Sequence, residues 1–134
     1  MTPVLLIKAI QVFLQEALAD RSSGVPAVHL YRLPTQTIET QDTPEHPFII
    51  IQAADGTDTE DKSTVTVYLI VGTKADDDAG FIDALNLLET IRIKLLKKDI
   101  LDKRFKLERP YKWQLYAEDQ QANPEIIGYA TTTW

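Results

Sequence analysis

Residues Ser63–Lys74 read STVTVYLIVGTK and form the clearest periodic pattern in the chain. Val65, Val67, Leu69 and Val71 fall on one face of an extended chain, because successive side chains of a strand point in opposite directions. β-Branched and aromatic residues fill most of the positions, which favours a strand over a helix. The pattern therefore predicts a long strand that presents one apolar face to a core.

Two further strands are predicted on the N-terminal side of this one. Phe48–Gln52 (FIIIQ) is a short apolar run typical of a buried strand. Ala53–Asp61 contains an Asp-Gly pair and predicts the turn of a hairpin. Val25–Leu33 predicts a shorter strand that is interrupted and closed by prolines, and Thr35–Pro47 predicts a polar loop.

Two amphipathic helices are predicted, one at the N-terminus and one after the long strand. Thr2-Pro3 supplies a hydroxyl N-cap and a proline at the first helical position, and apolar residues recur at spacings of three and four until about Asp20. Ala75–Asp78 supplies an acidic cap for the second helix, Ala79–Lys98. The apolar face of that helix is broad, which favours contacts with the sheet and with a neighbouring subunit.

The C-terminal third predicts more strands. Lys103–Glu108 is a short strand, and Tyr111–Glu118 pairs with Glu125–Trp134 as a hairpin around the polar turn Asp119–Pro124. The element order is thus α-β-β-β-α-β-β. This order predicts a single α+β domain over residues 1–134, with an antiparallel or mixed sheet of four to five strands packed by two helices on one face.

Composition restricts the class of protein. The 134 residues contain no cysteine, which excludes disulfides and thiolate metal sites. The formal net charge of −6 argues against tight DNA binding, which needs cationic contacts to phosphates, and the basic residues of Arg92–Arg109 are typical of a solvated helix end. Apolar runs are far shorter than the ~20 residues of a membrane span, so a cytoplasmic protein is expected.

No motif for catalysis or metal binding is found. His29 and His46 are isolated and lack the spacing of a zinc site. The acidic segment Asp55–Asp61 lacks the carboxylate spacing of a calcium loop and is typical of a solvated hairpin tip. No catalytic, cofactor-binding or metal-ligating residue is therefore predicted, although two carboxylates that meet only in space stay open as an alternative.

Aromatic residues concentrate in the C-terminal hairpin: Tyr111, Trp113, Tyr116, Tyr129 and Trp134. Ordinary cross-strand packing would explain them. The alternative is an interface anchor, because tryptophan and tyrosine are enriched where proteins bind one another. Trp134 at the last position favours the second interpretation, since we do not expect it to serve a monomer's core alone.

Several segments together resemble the tail-completion, or tail-terminator, proteins of long-tailed phages and prophages. A leading helix and a proline-bearing loop precede PFIIIQ with its acidic turn and then STVTVYLIVGTK. An acidic cap precedes the helix FIDALNLLETIRIKLLKKDIL, and a strand with Trp113 and the closing GYATTTW follow. The resemblance is clearest from Phe48 to Trp134 and lies in the order and texture of the segments.

Proteins of this family are small α+β subunits that form a ring, usually a hexamer, at the head-proximal end of the tail. The ring stops growth of the tail tube and joins the head. The resemblance implies a structural protein without enzymatic activity or cofactor, in the host cytoplasm during assembly and then in the virion tail. Its partners would be copies of itself and other phage tail and head-completion proteins.

The resemblance also implies that DNA at most passes through the ring, without sequence-specific contacts, and that no membrane is bound. An acidic lumen would let DNA slide, because like charges repel phosphate. The long loops would contact neighbouring proteins. The candidate interface residues are Asp55, Asp58, Glu60, Asp61, Tyr111, Trp113, Tyr129 and Trp134.

Two other functions are compatible with the same pattern. A helix-backed sheet also serves small-ligand-binding regulatory modules, for which we would expect dimers and a pocket between Ala79–Lys98 and the sheet. An enzyme that uses carboxylates would need two acidic groups close together in a cleft with perturbed pKa values.

Overall fold

The computed structural model describes residues 2–22, 24–33, 46–74, 79–116 and 125–134. The helices and strands in these ranges are α1 (Pro3–Ala17), β1 (Ala27–Leu30), β2 (Phe48–Asp58), β3 (Ser63–Lys74), α2 (Ala79–Lys98), β4 (Ile100–Leu101), β5 (Phe105–Lys106), β6 (Glu108–Leu115) and β7 (Glu125–Thr133). The α+β class and the predicted element order are confirmed. A small hairpin, β4–β5, takes the place of the predicted strand Lys103–Glu108. The predicted cap Ala75–Asp78, the turn Asp119–Pro124 and most of the loop Thr35–Pro47 lie outside the described residues.

Five strands form one mixed sheet in the order β1-β2-β3-β7-β6. The neighbours from β2 to β6 are antiparallel, whereas β1 runs parallel to β2 with Ala27 opposite Phe48 and Leu30 opposite Ile51. A tight turn gives an antiparallel pair, but parallel neighbours need a long connection. The long segment between β1 and β2 provides one, so the sheet is mixed.

β3 lies at the centre of the sheet and is paired along both edges. The four apolar side chains at alternate positions from Val65 to Val71 are buried, as predicted. Ile51 of β2 and Ala130 of β7 lie on either side of Leu69 and continue the same buried face. The core is therefore built on one face of the sheet.

Both helices cover that face. α1 packs on β1 and β2, and α2 lies mainly over β3 and β7. Each side chain buried in this layer contributes roughly 1.5–3 kcal/mol to folding. The buried helix residues are Leu6, Ile7, Ile10, Leu14, Leu87, Leu88, Ile91 and Leu95. β6 is the strand with most of its side chains exposed, because α2 does not extend fully over it.

β2 is longer than predicted and continues through Asp58. Ala53 lies opposite Val67 and Asp55 opposite Thr66, so Ala54 is an extra residue and forms a β-bulge. The Asp-Gly pair predicted as the turn lies within the strand. The prediction was wrong here because Gly56 and the two residues after it pair regularly with β3, so the chain turns only after Asp58.

The true turn spans Thr59–Lys62. The Thr59 N–H donates to the Lys62 carbonyl at 2.8 Å, and the Thr59 hydroxyl accepts from the Lys62 N–H at 3.1 Å. The last residue of β7, Thr133, pairs with Thr66, and Trp134 bonds to Val65. From Thr57 to Thr64 the hairpin therefore projects beyond β7 as two strands, and we call Asp55–Thr64 the arm.

Gly72 of β3 lies directly under the ring of Phe48 from β2. A Cβ at position 72 would lie 2.2 Å from Phe48 Cζ and 2.4 Å from Cε2. Phe48 is almost fully buried, so its ring has little room to move. Only glycine permits this close approach of ring and backbone.

We therefore expect Gly72→Ala to lower the free energy of unfolding by about 1–3 kcal/mol, as overpacking does. Urea unfolding followed by circular dichroism measures the change. Phe48→Leu removes the ring atoms that clash, so Gly72→Ala should cost less in that background. Equal losses in the two backgrounds would show that the ring is not the cause.

Candidate functional site

An open groove runs between α2 and the edge strand β6. It has a volume of about 420 Å³. We call it the edge groove and define it by its lining residues: Leu85, Leu88, Glu89, Arg92, Tyr111 and Trp113. It lies on the helix-bearing face, at the flank of the sheet that α2 leaves partly uncovered.

Trp113 is the main exposed apolar side chain of the groove. It lies opposite Ala130, which places its indole on the same face as the core. Even so, 52% of its surface is exposed, and Leu85 across the groove is 40% exposed. Large apolar side chains exposed next to one another are typical of protein–protein contacts.

Tyr111 forms the floor of the groove and packs against the core. Its hydroxyl is buried and has no hydrogen-bond partner among the described residues. Burial raises the pKa of Tyr111 above its ordinary value of 10.0, and the guanidinium of Arg92 opposes this effect. Arg92 and Glu89 form an exposed ion pair with 3.7 Å between Nη2 and Oε1.

No strand in the described ranges pairs with the outer edge of β6, and this open edge borders the groove. The Tyr116 N–H donates to the Ile127 carbonyl at 3.1 Å, which fixes the phase of the hydrogen-bond ladder with β7. In an antiparallel pair the main-chain N–H and C=O groups of every second residue point at the partner strand. Those of Gln114 therefore point at β7, and those of Trp113 point away from it. Pro110 on the same strand is typical of an edge.

The opposite face of the sheet carries a second cluster. Tyr68, Tyr116 and Tyr129 pack together, with ring centroids 6.2 Å apart for Tyr68 and Tyr129 and 5.6 Å for Tyr116 and Tyr129. The Tyr129 hydroxyl donates to Gln114 Oε1 at 3.1 Å. With Gln52 these tyrosines line a shallow depression of about 310 Å³.

The structure separates the predicted interface residues into distinct places. Tyr111 and Trp113 lie together in the edge groove, whereas Tyr129 lies on the opposite face of the sheet. The acidic residues lie on the arm, where all four side chains are exposed and none forms a salt bridge within the described part of the chain: Asp55, Asp58, Glu60 and Asp61.

Trp134 does not support the predicted role at an interface. Its side chain is only 2% exposed and belongs to the chain's own core. The indole N–H donates to Thr132 Oγ1 at 2.9 Å, and the Thr132 hydroxyl donates to the Val67 carbonyl at 2.9 Å. A side chain buried and bonded in this way is not available to a partner. Main-chain hydrogen bonds to Val65 fix Trp134 at this position, and the sequence does not reveal them.

Sequence reasoning missed Leu85, Glu89 and Arg92 as residues of the groove. In the sequence, Leu85 is one of the many apolar residues of the broad face of Ala79–Lys98. The signal was the excess width of the apolar face: Ile82, Leu85 and Ile93 remain exposed because one helix cannot bury so many apolar residues against a sheet. A second apolar depression, between α1 and the β4–β5 hairpin, is lined by Leu5 and Val12 among others.

The histidines lie away from the edge groove. His46 Nε2 lies 2.8 Å from Glu125 Oε2, which links the start of β2 to the start of β7, and its ring packs on Phe48. Among the described residues no group of three or more histidines and carboxylates could hold a metal ion. Neither described helix combines the length and the apolar content that crossing a membrane requires.

Tyr111→Phe tests the environment of the groove floor. Removing a buried hydroxyl without a partner should raise the free energy of unfolding by about 1 kcal/mol at pH 8. Above pH 10 the unfolded chain ionises Tyr111 whereas the folded state keeps it neutral. The free energy of unfolding of the wild type should therefore fall by about 1.4 kcal/mol per pH unit relative to this variant. Urea unfolding at pH 8 and pH 11 measures both effects.

Tyr31→Phe, which removes the hydroxyl of an exposed tyrosine, is the matched control and should change neither quantity appreciably. A loss of stability in Tyr111→Phe at pH 8 would mean instead that the Tyr111 hydroxyl makes a favourable hydrogen bond in the folded protein.

The interaction features therefore occupy two separate places on one sheet. The edge groove and the open edge of β6 adjoin one another at one flank, and the arm extends past the end of the sheet from β2 and β3. No protein-family model matches the sequence, and no curated protein matches it.

Proposed function

We propose that this protein is a non-enzymatic assembly subunit that binds copies of itself through the edge groove. The observation that carries the proposal is the half-exposed Trp113 beside Leu85, next to the open main chain of β6. Apolar side chains and unpaired strand edges in one place are features that proteins otherwise cover. A neighbouring subunit would bury both at once.

The assembled form we propose is a closed ring of the tail-terminator type, usually a hexamer, which ends the tail tube of a phage or prophage and contacts the head side. The resemblance in sequence supports this role, and the α+β architecture is compatible with it. The protein would act in the host cytoplasm and then in the virion. Other tail and head-completion proteins would be its further partners, and DNA would only pass through the ring.

A small-ligand-binding module is the second candidate, because the edge groove lies where such a module would place a pocket. Its polar groups argue against this use. Glu89 and Arg92 pair with one another, and the Tyr111 hydroxyl is buried instead of being presented to the groove. Ligand pockets usually enclose most of a small molecule, whereas this groove is about half open to solvent.

The proposal is tested by measuring mass in solution with light scattering on a sizing column, over a range of protein concentrations. We expect a ring-sized species, or a monomer that assembles as the concentration rises, with a central opening in electron micrographs. Leu85→Asp and Trp113→Ala should each weaken assembly at least tenfold, because an anchor at an interface contributes about 1.4 kcal/mol or more.

Val12→Asp is the matched control. Val12 is an apolar residue of similar exposure on α1, outside the edge groove, and its substitution should leave assembly unchanged. Loss of assembly in Val12→Asp but not in Leu85→Asp would place the contact on α1. A wild-type chain that remains monomeric at every concentration would contradict intrinsic self-assembly, and a dimer independent of concentration would favour the ligand-binding module.

A further inference from the structure

We infer that the arm of a second copy occupies the edge groove, with its β2 strand paired to the open edge of β6. The inference rests on the proposed self-assembly and names the surface that each copy supplies. It would make the sheets of neighbouring subunits continuous. Four features of the described residues support it: strand direction, the free main-chain groups, charge and the position of the two edges.

The two edges are suited to pair head to tail. Along the sheet, β2 and β6 are antiparallel to one another, because two antiparallel strands separate them. Asp55 and Thr133 both lie opposite Thr66, and Glu108 lies opposite Thr133, so the distal part of β2 and the first part of β6 are at the same level. Trp113 is level with Leu69 of β3, whereas Gly56 is level with Val65. A second copy placed beside the first and shifted along the strands by about four residues would bring its arm, antiparallel, against β6 at Trp113.

The main-chain groups on both edges point outwards. Val65 exchanges two hydrogen bonds of 2.9 Å with Trp134, so its main chain faces β7. Its partner on β2, Gly56, therefore belongs to a non-hydrogen-bonded pair with β3. The N–H and C=O groups of Gly56 and of Asp58 point away from β3. β1 pairs only with the proximal part of β2, up to Ile51. Within the described residues, both the arm and Trp113 thus present an unpaired edge.

The charges of the two surfaces are complementary. The arm carries four acidic side chains against one basic side chain between Asp55 and Lys62. On the edge groove and β6, Arg92, Arg109 and Lys112 stand against Glu89 and Glu108, in a protein of net charge −6. Arg109 and Lys112 of β6 are exposed and form no salt bridge among the described residues. Opposite charges on neighbouring strands favour their pairing.

Such a contact is heterologous, because the arm and the edge groove are different surfaces of one chain. Each copy would give its arm to one neighbour and receive an arm from the other. Heterologous contacts produce a ring when the rotation between neighbours closes, and a filament when it does not. The bulge at Ala54 sets the twist of the arm and so influences this rotation.

Cross-linking between singly substituted chains tests the contact directly. The native chain has no cysteine, so Asp55→Cys and Lys112→Cys each introduce one reactive thiol. The two preparations, one carrying an affinity tag, are mixed and treated with a short bismaleimide that tolerates neighbouring registers. We expect cross-linked heterodimers from this mixture and none when Val12→Cys replaces Lys112→Cys.

Charge reversal provides an independent measurement. Asp55→Lys with Asp58→Lys, and Arg109→Glu with Lys112→Glu, should each weaken self-association at least tenfold by light scattering. Mixing these two variants should restore assembly, because each then offers the charge that the other lacks. Glu16→Lys with Asp20→Lys changes the net charge equally on a surface outside the arm and the edge groove, and should associate like the wild type.

The outcomes separate the two proposals. If Leu85→Asp abolishes assembly but the cysteine mixture gives no heterodimer and the reversed pair is not restored on mixing, another surface occupies the edge groove. The inference about the arm is then wrong, while the proposed function stands. If the wild-type chain does not associate at any concentration, the proposed self-assembly is wrong and the arm contact is wrong with it.

Discussion

The structure depends on the burial of one face of β3. This strand is hydrogen-bonded along both edges, and its alternate apolar side chains from Val65 to Val71 are covered by the helix layer. A strand with a period of two cannot slip by one residue without turning its whole apolar set to the other face. The register of β2 and β7 is therefore fixed by β3. The places of the arm, the edge groove and the tyrosine cluster all follow from that register.

The width of the sheet explains why an interaction surface exists on the same face as the core. Strands lie about 4.8 Å apart and helices with their side chains are about 10 Å across, so two helices cover roughly four strands. The sheet has five. Because α1 lies over β1 and β2 and α2 mainly over β3 and β7, the strand left partly uncovered is β6. Trp113 is thus exposed because two helices are too narrow to cover a sheet of this width.

The sequence predicted those features that depend on short-range periodicity. The alternation of Ser63–Lys74 and of Tyr111–Leu115, and the helical spacing of both helices, were sufficient for the element order and the buried face. Features that depend on distant partners could not be predicted. The parallel pairing of β1, the continuation of β2 through the Asp-Gly pair and the burial of Trp134 each require the position of another strand. For the candidate site, alternation along the strand predicts that Tyr111 and Trp113 lie on the same face of the sheet. That Tyr129 lies on the opposite face depends on the register of β7 against β6, which the sequence does not show.

The two tryptophans differ in a way that makes the protein its own reporter. Trp134 is enclosed in the core and bonded to Thr132, whereas the indole of Trp113 is half exposed at the flank of the sheet. The chain contains no other tryptophan. The fluorescence of Trp134 consequently responds to unfolding, and that of Trp113 responds to whatever covers the flank and shields it from a soluble quencher. Folding and association can therefore be followed separately in one sample without any added label.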